Sequence, residues 1–207
     1  NFWETWVTKD KCAKFNLNQG DLGPASYGPS FRDFPTPAGT KFNQFLEVLD
    51  QVKTYPNLRT HLVTTWMPFG AIQNSRKKRE VVVAPCHGTV IKINVINGFL
   101  TVQHVQRSCD LPVGGVGNIC QYAALTLALA QVLGIIPHRY IHFFLDAQIY
   151  ENQIDHVKKL LEREPRPFPT LNITDTSIKD IFAFRAHHFE LADYNPHPAM
   201  NDIPVTE

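Results

Sequence analysis

The pair Asn97-Gly98 constrains the fold of this chain more than any other stretch. Asn-Gly is the preferred pair for a two-residue hairpin turn, because both central positions take positive φ. Runs rich in β-branched residues flank it, Thr89 to Val95 and Phe99 to Val105. The pattern predicts two antiparallel strands joined at that turn. Such a hairpin carries the chain after Val105 back toward the segment before Thr89. Two stretches distant in sequence, Val81 to His87 and Gln106 to Asp110, are thereby expected side by side.

The first of these is Val81-Val82-Val83-Ala84-Pro85-Cys86-His87. Three β-branched residues read as a buried strand. Pro85 withholds a ladder donor and stiffens the turn. A cysteine where a strand gives out, with a rigid scaffold behind it, is well placed for a nucleophile. A thiolate is the reactive form, and Arg107 and His87 are the cations expected near it. A Cys-His hydrolase needs the histidine to face the sulfur, and adjacent residues on a strand end point apart. The competing reading of Cys86 is a buried structural cysteine. Both stand on spacing alone.

The remaining elements follow from periodicity and punctuation. Trp3 and Trp6 are three apart and are expected on one helical face, as core packing or as a ligand platform. Gly20 to Pro29 is dense in turn residues. Phe42, Phe45, Leu46, Leu49 and Val52 follow helical spacing, which predicts a helix over Thr40 to Thr54 that ends at Tyr55-Pro56. His61 to Trp66 reads as a strand. Ser75 to Arg79 is a basic run in a loop, read as solvated rather than as a nuclear-targeting signal. Gly114, Gly115 and Gly117 alone are weak evidence for phosphate binding. Asn118 stands at the head of an apolar helix running to Leu133 and closed by Gly134, where it could serve only as an N-cap. The apolar stretch Tyr122 to Ile136 is too short to cross a bilayer comfortably and reads as a buried helix. Arg139 to Leu145 is expected as a buried strand. Asn152 to Arg163 is expected as a helix with Ile154, Val157, Leu160 and Leu161 inward. Short strands are expected near Phe168 to Ile173 and Phe189 to Tyr194, with a small helix between. Strands and helices mix irregularly, which indicates α+β.

Composition sets the outer bounds. With 207 residues, 43% hydrophobic and 19% charged, the chain suits one domain with a substantial core. A net charge of +1 argues against a general nucleic-acid binder. Four cysteines without a CxxC pair read as reduced thiols in a cytoplasmic protein, and their spacing does not suit zinc or another metal. No signal peptide is visible, and the chain opens at Asn1 directly in an aromatic cluster.

Several stretches together resemble the thymidylate synthase family. They are Pro85-Cys86-His87, Gln106-Arg107-Ser108-Cys109-Asp110, Gly114, Asn118-Ile119 and Asp146-x-x-x-Tyr150, in order and at nearly the family's spacing. Trp3-Glu4-Thr5-Trp6, Gly20 to Pro24, Tyr27-Gly28, Pro56 to Arg59, Arg163 to Pro167 and Tyr194-x-Pro196-His197-Pro198 extend the likeness over essentially residues 1–207 as one catalytic domain. The resemblance implies an α/β sandwich with a large mixed β-sheet at a homodimer interface. It implies C5 methylation of a dUMP-type pyrimidine nucleotide with 5,10-methylenetetrahydrofolate as cosubstrate and no metal.

In that reading Cys86 is the nucleophile. Arg107 serves the phosphate and the thiolate, and Ser108 adds a phosphate hydrogen bond. Asp110 binds the pterin edge, and its backbone helps hold the pyrimidine. Tyr150 holds the ribose, with Gln106, Cys109 and Gln148 in the same nucleotide set. Tyr27 and His87 belong to a proton-relay and water network. Trp3 and Trp6 flank the folate, with Gly114 and Thr206 nearby, and Arg59 reaches the phosphate of the partner subunit. Asn118 favours uracil, since one amide can match its N3-H donor and O4 acceptor, where cytosine-specific relatives typically carry aspartate.

Four positions depart from the family pattern. Gln148 replaces a histidine, Thr60 an arginine, Gly117 a phenylalanine and Leu145 a glycine. The family's N-terminal segment, with a phosphate arginine and a water-ordering glutamate, has no counterpart before Asn1, and an upstream part is expected to be missing. Two alternatives follow. One is a pyrimidine nucleotide 5-hydroxymethylase of the same family, in which water replaces hydride; Trp3 leans against it and Gly117 toward it. The other is a non-catalytic nucleotide-binding homologue.

Overall fold

Antiparallel pairing around Asn97-Gly98 forms the centre of the sheet, as a computed structural model describing residues 3–206 shows. Asn97 and Gly98 take φ of 52° and 80°, the left-handed values that the turn requires. In chain order the elements are α1 (Lys9–Ala13), α2 (Tyr27–Arg32), β1 (Phe34–Pro35), β2 (Lys41–Phe42), α3 (Gln44–Thr54), β3 (Leu62–Val63) and α4 (Pro68–Ala71). Then come β4 (Val90–Ile96), β5 (Phe99–Gln106), β6 (Cys109–Asp110), α5 (Val116–Leu133), β7 (Ile136–Phe144), β8 (Ala147–Gln148), α6 (Ile154–Leu161), β9 (Thr170–Ile173) and β10 (Phe189–Ala192).

The main sheet has the order β3-β4-β5-β7. It is mixed: β3, β4 and β5 run antiparallel, while β7 returns parallel to β5 through the α5 crossover. At four strands it is smaller than the large sheet expected. Along β5 buried and less buried residues alternate, so Leu100, Val102, His104 and Gln106 share the inner face. Helices α3 and α5 cover that face. Val48, Leu49, Val52, Ile91, Ile93, Leu100, Val102, Tyr122 and Leu129 form the core. Each such side chain contributes roughly 1.5–3 kcal/mol when fully buried. Truncating Leu129 to alanine would cost about 3 kcal/mol.

Helix α5 ends where Gly134 takes φ of 67° and donates its N–H to the Ala130 and Gln131 carbonyls. Together with the π-turn before it, Leu111–Leu133 is long and apolar enough to cross a membrane. One side of it packs against the sheet and α3, and with only 33% of the stretch buried it is half-exposed rather than the buried helix expected. The opposite sheet face is open, with Ile96, Phe99, Thr101, Gln103, His138 and Ile141 around a shallow depression.

Several expectations change. Val81 and Val82 are buried and Val83 and Ala84 half-buried, but the stretch forms no strand: Val82 N–H donates to the Leu22 carbonyl and Glu80 N–H to the Gly70 carbonyl, with no strand alongside to extend a ladder. Helix α3 starts at Gln44, because the Asn43 side chain caps it by accepting from Leu46 N–H, and Phe42 lies in β2 instead. The strand expected over His61 to Trp66 shrinks to Leu62–Val63, since Thr64 and Thr65 bond to side chains and to the Gly88 carbonyl. Trp3 to Trp6 is a hydrogen-bonded turn rather than a helix. Asn118 lies inside the first turn of α5 and is not its N-cap. Strand β7 is half exposed rather than buried, because it is the sheet edge and only one face is covered. Helix α6 is shorter and carries no fully buried residue; Leu161 is 78% exposed. Strands β9 and β10 form a separate antiparallel pair, linked by short 3₁₀ turns.

Candidate active site

Cys86 lies on an irregular segment that its neighbours pin by backbone groups. The Cys86 carbonyl accepts from Arg107 N–H at 2.8 Å and Ser108 N–H at 3.3 Å, so the end of β5 grips it directly. The His87 carbonyl accepts from the Thr65 hydroxyl at 2.9 Å, and the Gly88 carbonyl accepts from Thr65 N–H. Gly88 has φ of 69° and lets the chain turn into β4. A Cβ there would lie 2.7 Å from the Tyr122 hydroxyl.

Tyr27, the first residue of α2, is the side-chain partner of Cys86. Its hydroxyl accepts from Cys86 N–H at 3.0 Å and lies 3.0 Å from Sγ. Burial, and then the nearby Cys86, push the Tyr27 hydroxyl far above the ordinary range, so it stays a phenol. Its own proton is therefore available to the sulfur. His87 stacks on Tyr27 at 4.2 Å, and its Nδ1 pairs with the Tyr122 hydroxyl at 2.8 Å. Burial, then His142, lower the His87 pKa to about 4. His87 is thus neutral and is not a cation beside the thiol, contrary to the expectation. Burial, then Cys86 and Asp110, raise Cys109 to about 11, which leaves it a thiol at neutral pH.

A cleft of about 480 Å³ opens in front of Cys86, a size suited to a small-molecule ligand. It is lined by Trp3, Trp6, Cys86, His87, Gln106, Arg107, Ser108, Cys109, Asp110, Gly114, Asn118, Gln148, Tyr150 and Thr206. Tyr27 joins through Cys86. Arg59 does not line it: it is exposed on the segment between α3 and β3. The Arg107 guanidinium lies over the Trp66 ring at 5.4 Å, and its Nε donates to the Pro85 carbonyl at 3.3 Å. Ser108 donates to Gln148 Oε1 at 3.3 Å, and Gln148 donates in turn to Asp146. Strand β8 holds Gln148 in place through its pairing with β6. Trp3 packs edge-on against Trp6 at 6.1 Å and lies 6.3 Å from Tyr27, so an aromatic row runs from the cleft rim to the thiol.

Sequence reasoning missed Gln153. It is fully buried, and its Nε2 donates to both Asp110 carboxylate oxygens, at 3.1 and 2.9 Å, and to the Pro204 carbonyl at 2.9 Å. Its Oε1 accepts from Tyr150 N–H at 3.0 Å. One amide thus ties the carboxylate, Tyr150 and the C-terminal segment together. No short motif announces a residue that works through contacts this distant in sequence. The polar groups His104, Tyr122 and His142 beneath the cleft were missed for the same reason.

The site therefore defines a class: a free cysteine paired with a phenol hydroxyl, a guanidinium and hydroxyl turn beside it, and an aromatic-walled cleft containing a fixed carboxylate. A family model described as thymidylate synthase matches residues 1–205, and the chain belongs to the thymidylate synthase family. It is thereby a dUMP-methylating or related pyrimidine-modifying enzyme of methyltransferase type, from a family that uses 5,10-methylenetetrahydrofolate.

Proposed function

We propose that the enzyme is a thymidylate synthase, converting dUMP to dTMP through a covalent adduct on Cys86. The observation that carries this reading is the Tyr27 hydroxyl held 3.0 Å from Cys86 Sγ at the cleft, with its proton free to donate. A donor aimed at sulfur supports the anionic nucleophile. The thiolate adds to C6 of uracil, and the C5–C6 electron pair moves onto C5 and O4. Attack of the C5 carbon so formed on the one-carbon unit would make the new carbon–carbon bond. Loss of the C5 proton would then break the bond between that carbon and the folate nitrogen and leave an exocyclic methylene. Hydride addition to the methylene would re-form C5=C6 as the Cys86–C6 bond breaks and returns the thiolate. The folate supplies the one-carbon unit and the hydride that completes the methyl group.

The lining fits both molecules. Trp3, Trp6, Val113 and Val205 offer apolar walls for a fused ring, and Asp110 offers an acceptor for its N–H edge. Arg107 and Ser108 suit a phosphate, Tyr150 the ribose, and the Asn118 amide the uracil edge. Arg59, exposed and outside its own cleft, would serve the phosphate of a partner subunit in a homodimer formed across the open sheet face. Residues 1–207 would act as one catalytic domain. A cytoplasmic setting suits a free nucleophilic thiol.

A second reading, 5-hydroxymethylation, is favoured by Gly117. It is exposed on the cleft wall, with nothing within 4 Å of the place a side chain would occupy. Open space there admits water, which would attack the exocyclic carbon in place of hydride. Incubation with dUMP and 5,10-methylenetetrahydrofolate separates the readings. dTMP with dihydrofolate supports methylation; 5-hydroxymethyl-dUMP with tetrahydrofolate establishes the second reading. Absence of both products, with no tritium released from [5-³H]dUMP, overturns both.

A further inference from the structure

A chain of hydrogen bonds lies beneath the cleft floor, on the inner face of β5 and β7. His104 and His142 are direct neighbours across this parallel pair, and Tyr140 shares the β7 face with His142. Gly88 N–H donates to His104 Nε2 at 2.7 Å. A backbone N–H can only donate, so His104 carries its proton on Nδ1, which faces the Tyr140 oxygen at 3.5 Å. The Tyr140 hydroxyl then gives its own proton to His142 Nδ1 at 2.6 Å. That leaves the His142 proton on Nε2, which donates to Gln106 Oε1 at 3.0 Å. Gln106 Nε2 donates to the Ser108 carbonyl at 3.0 Å, and a carbonyl can only accept.

Both ends of the chain are therefore polarised, and each link has one permitted direction. The chain starts two residues after Cys86 and ends in the turn whose N–H groups hold the Cys86 carbonyl. Gln106 is 1% exposed, so its amide has no solvent to satisfy a misplaced group. A rotated Gln106 would set an N–H against His142 and a carbonyl against the Ser108 oxygen.

We propose that His142, in the Nε2–H tautomer, is a positioning residue: through Gln106 it fixes the turn Arg107-Ser108 at the nucleotide end of the cleft. The proposal rests on the nucleotide reading of that cleft. It acts on affinity and leaves the Cys86 chemistry alone. Two isosteric substitutions divide its two bonds. Glutamine places an N–H near the position of Nε2, and asparagine places an acceptor near that of Nδ1 and cannot reach Gln106.

The test is steady-state kinetics with dUMP on His142→Gln and His142→Asn, with long-range ¹H–¹⁵N spectra of the free wild-type protein. His142→Asn is expected to raise KM for dUMP about tenfold, equivalent to about 1.4 kcal/mol, with kcat within about twofold, while His142→Gln stays within about threefold in both. The spectra are expected to show His142 protonated on Nε2 and His104 on Nδ1. Equal kinetics for the two variants, or His142 protonated on Nδ1, overturns the proposal. A wild-type protein that folds but neither binds nor converts dUMP overturns the nucleotide reading, and the spectra then judge the proton order by themselves.

Discussion

The Tyr27 hydroxyl makes both of its contacts with one residue, accepting from Cys86 N–H and facing its sulfur. Tyr27→Phe removes both. A buried donor left unmade costs roughly 1–3 kcal/mol, so kcat/KM is expected to fall about ten- to a hundredfold. A fall below about threefold in steady-state assay would remove Tyr27 from the machinery. The histidines make a separate prediction. Burial, then neighbouring histidines, hold His87 near 4 and His104 near 3, whereas the unfolded chain takes up these protons near pH 6.5. Stability is therefore complete above about pH 6.5 and falls as the pH drops below it. The loss is complete only below the folded values. Each histidine contributes a slope of up to about 1.4 kcal/mol per pH unit. Urea midpoints between pH 7 and 4.5 check this, and His104→Gln, which keeps an acceptor for Gly88, is expected to flatten the slope by about one proton. At this scale the sequence was legible where short motifs bring residues to one cleft, as with Cys86, Arg107-Ser108 and Asp110. Gln153 and Asp110 are 43 positions apart. Their contact depends on where β6 and the turn before α6 come to lie, and no local pattern encodes it.

Among elements, the β4–β5 hairpin is legible because its determinants are local: alternation on both arms and a turn pair suited to positive φ. Val81 to Val83 shows the limit of that reasoning. β-branched composition marks burial, but a strand also needs a partner edge, and here Val82 N–H donates to the Leu22 carbonyl and the neighbouring Glu80 N–H to the Gly70 carbonyl without a ladder. Helix α6 shows a second limit. Its apolar spacing is clear, yet its Ile154 and Leu161 stay exposed because no further layer lies over them. In the irregular segment, Gly88 is the tight turn between Cys86 and β4. Gly88→Ala would force a positive φ and place Cβ 2.9 Å from Thr65 and 2.7 Å from the Tyr122 hydroxyl. A loss of about 2–4 kcal/mol is expected, read as a lower urea midpoint at unchanged m-value. An unchanged midpoint would mean that the turn relaxes freely.

For the molecule as a whole, the open sheet face and the cleft occupy opposite sides of one sheet. Ile96, Phe99 and Ile141 leave apolar surface on the uncovered side, which the sequence could not reveal because β7 carries no clear alternation to say which face gains a partner. A homodimer across this face predicts that the wild type sediments at twice the chain mass and that Ile141→Arg sediments as a monomer with reduced turnover. A wild-type monomer with full activity would exclude a shared site. The central claim is that Cys86 adds covalently to a pyrimidine nucleotide, and intact-mass spectrometry after incubation with 5-fluoro-dUMP and 5,10-methylenetetrahydrofolate tests it most directly. The expected result is a mass increase equal to both ligands, mapped to Cys86 and absent in Cys86→Ser; an unmodified wild-type mass would contradict it.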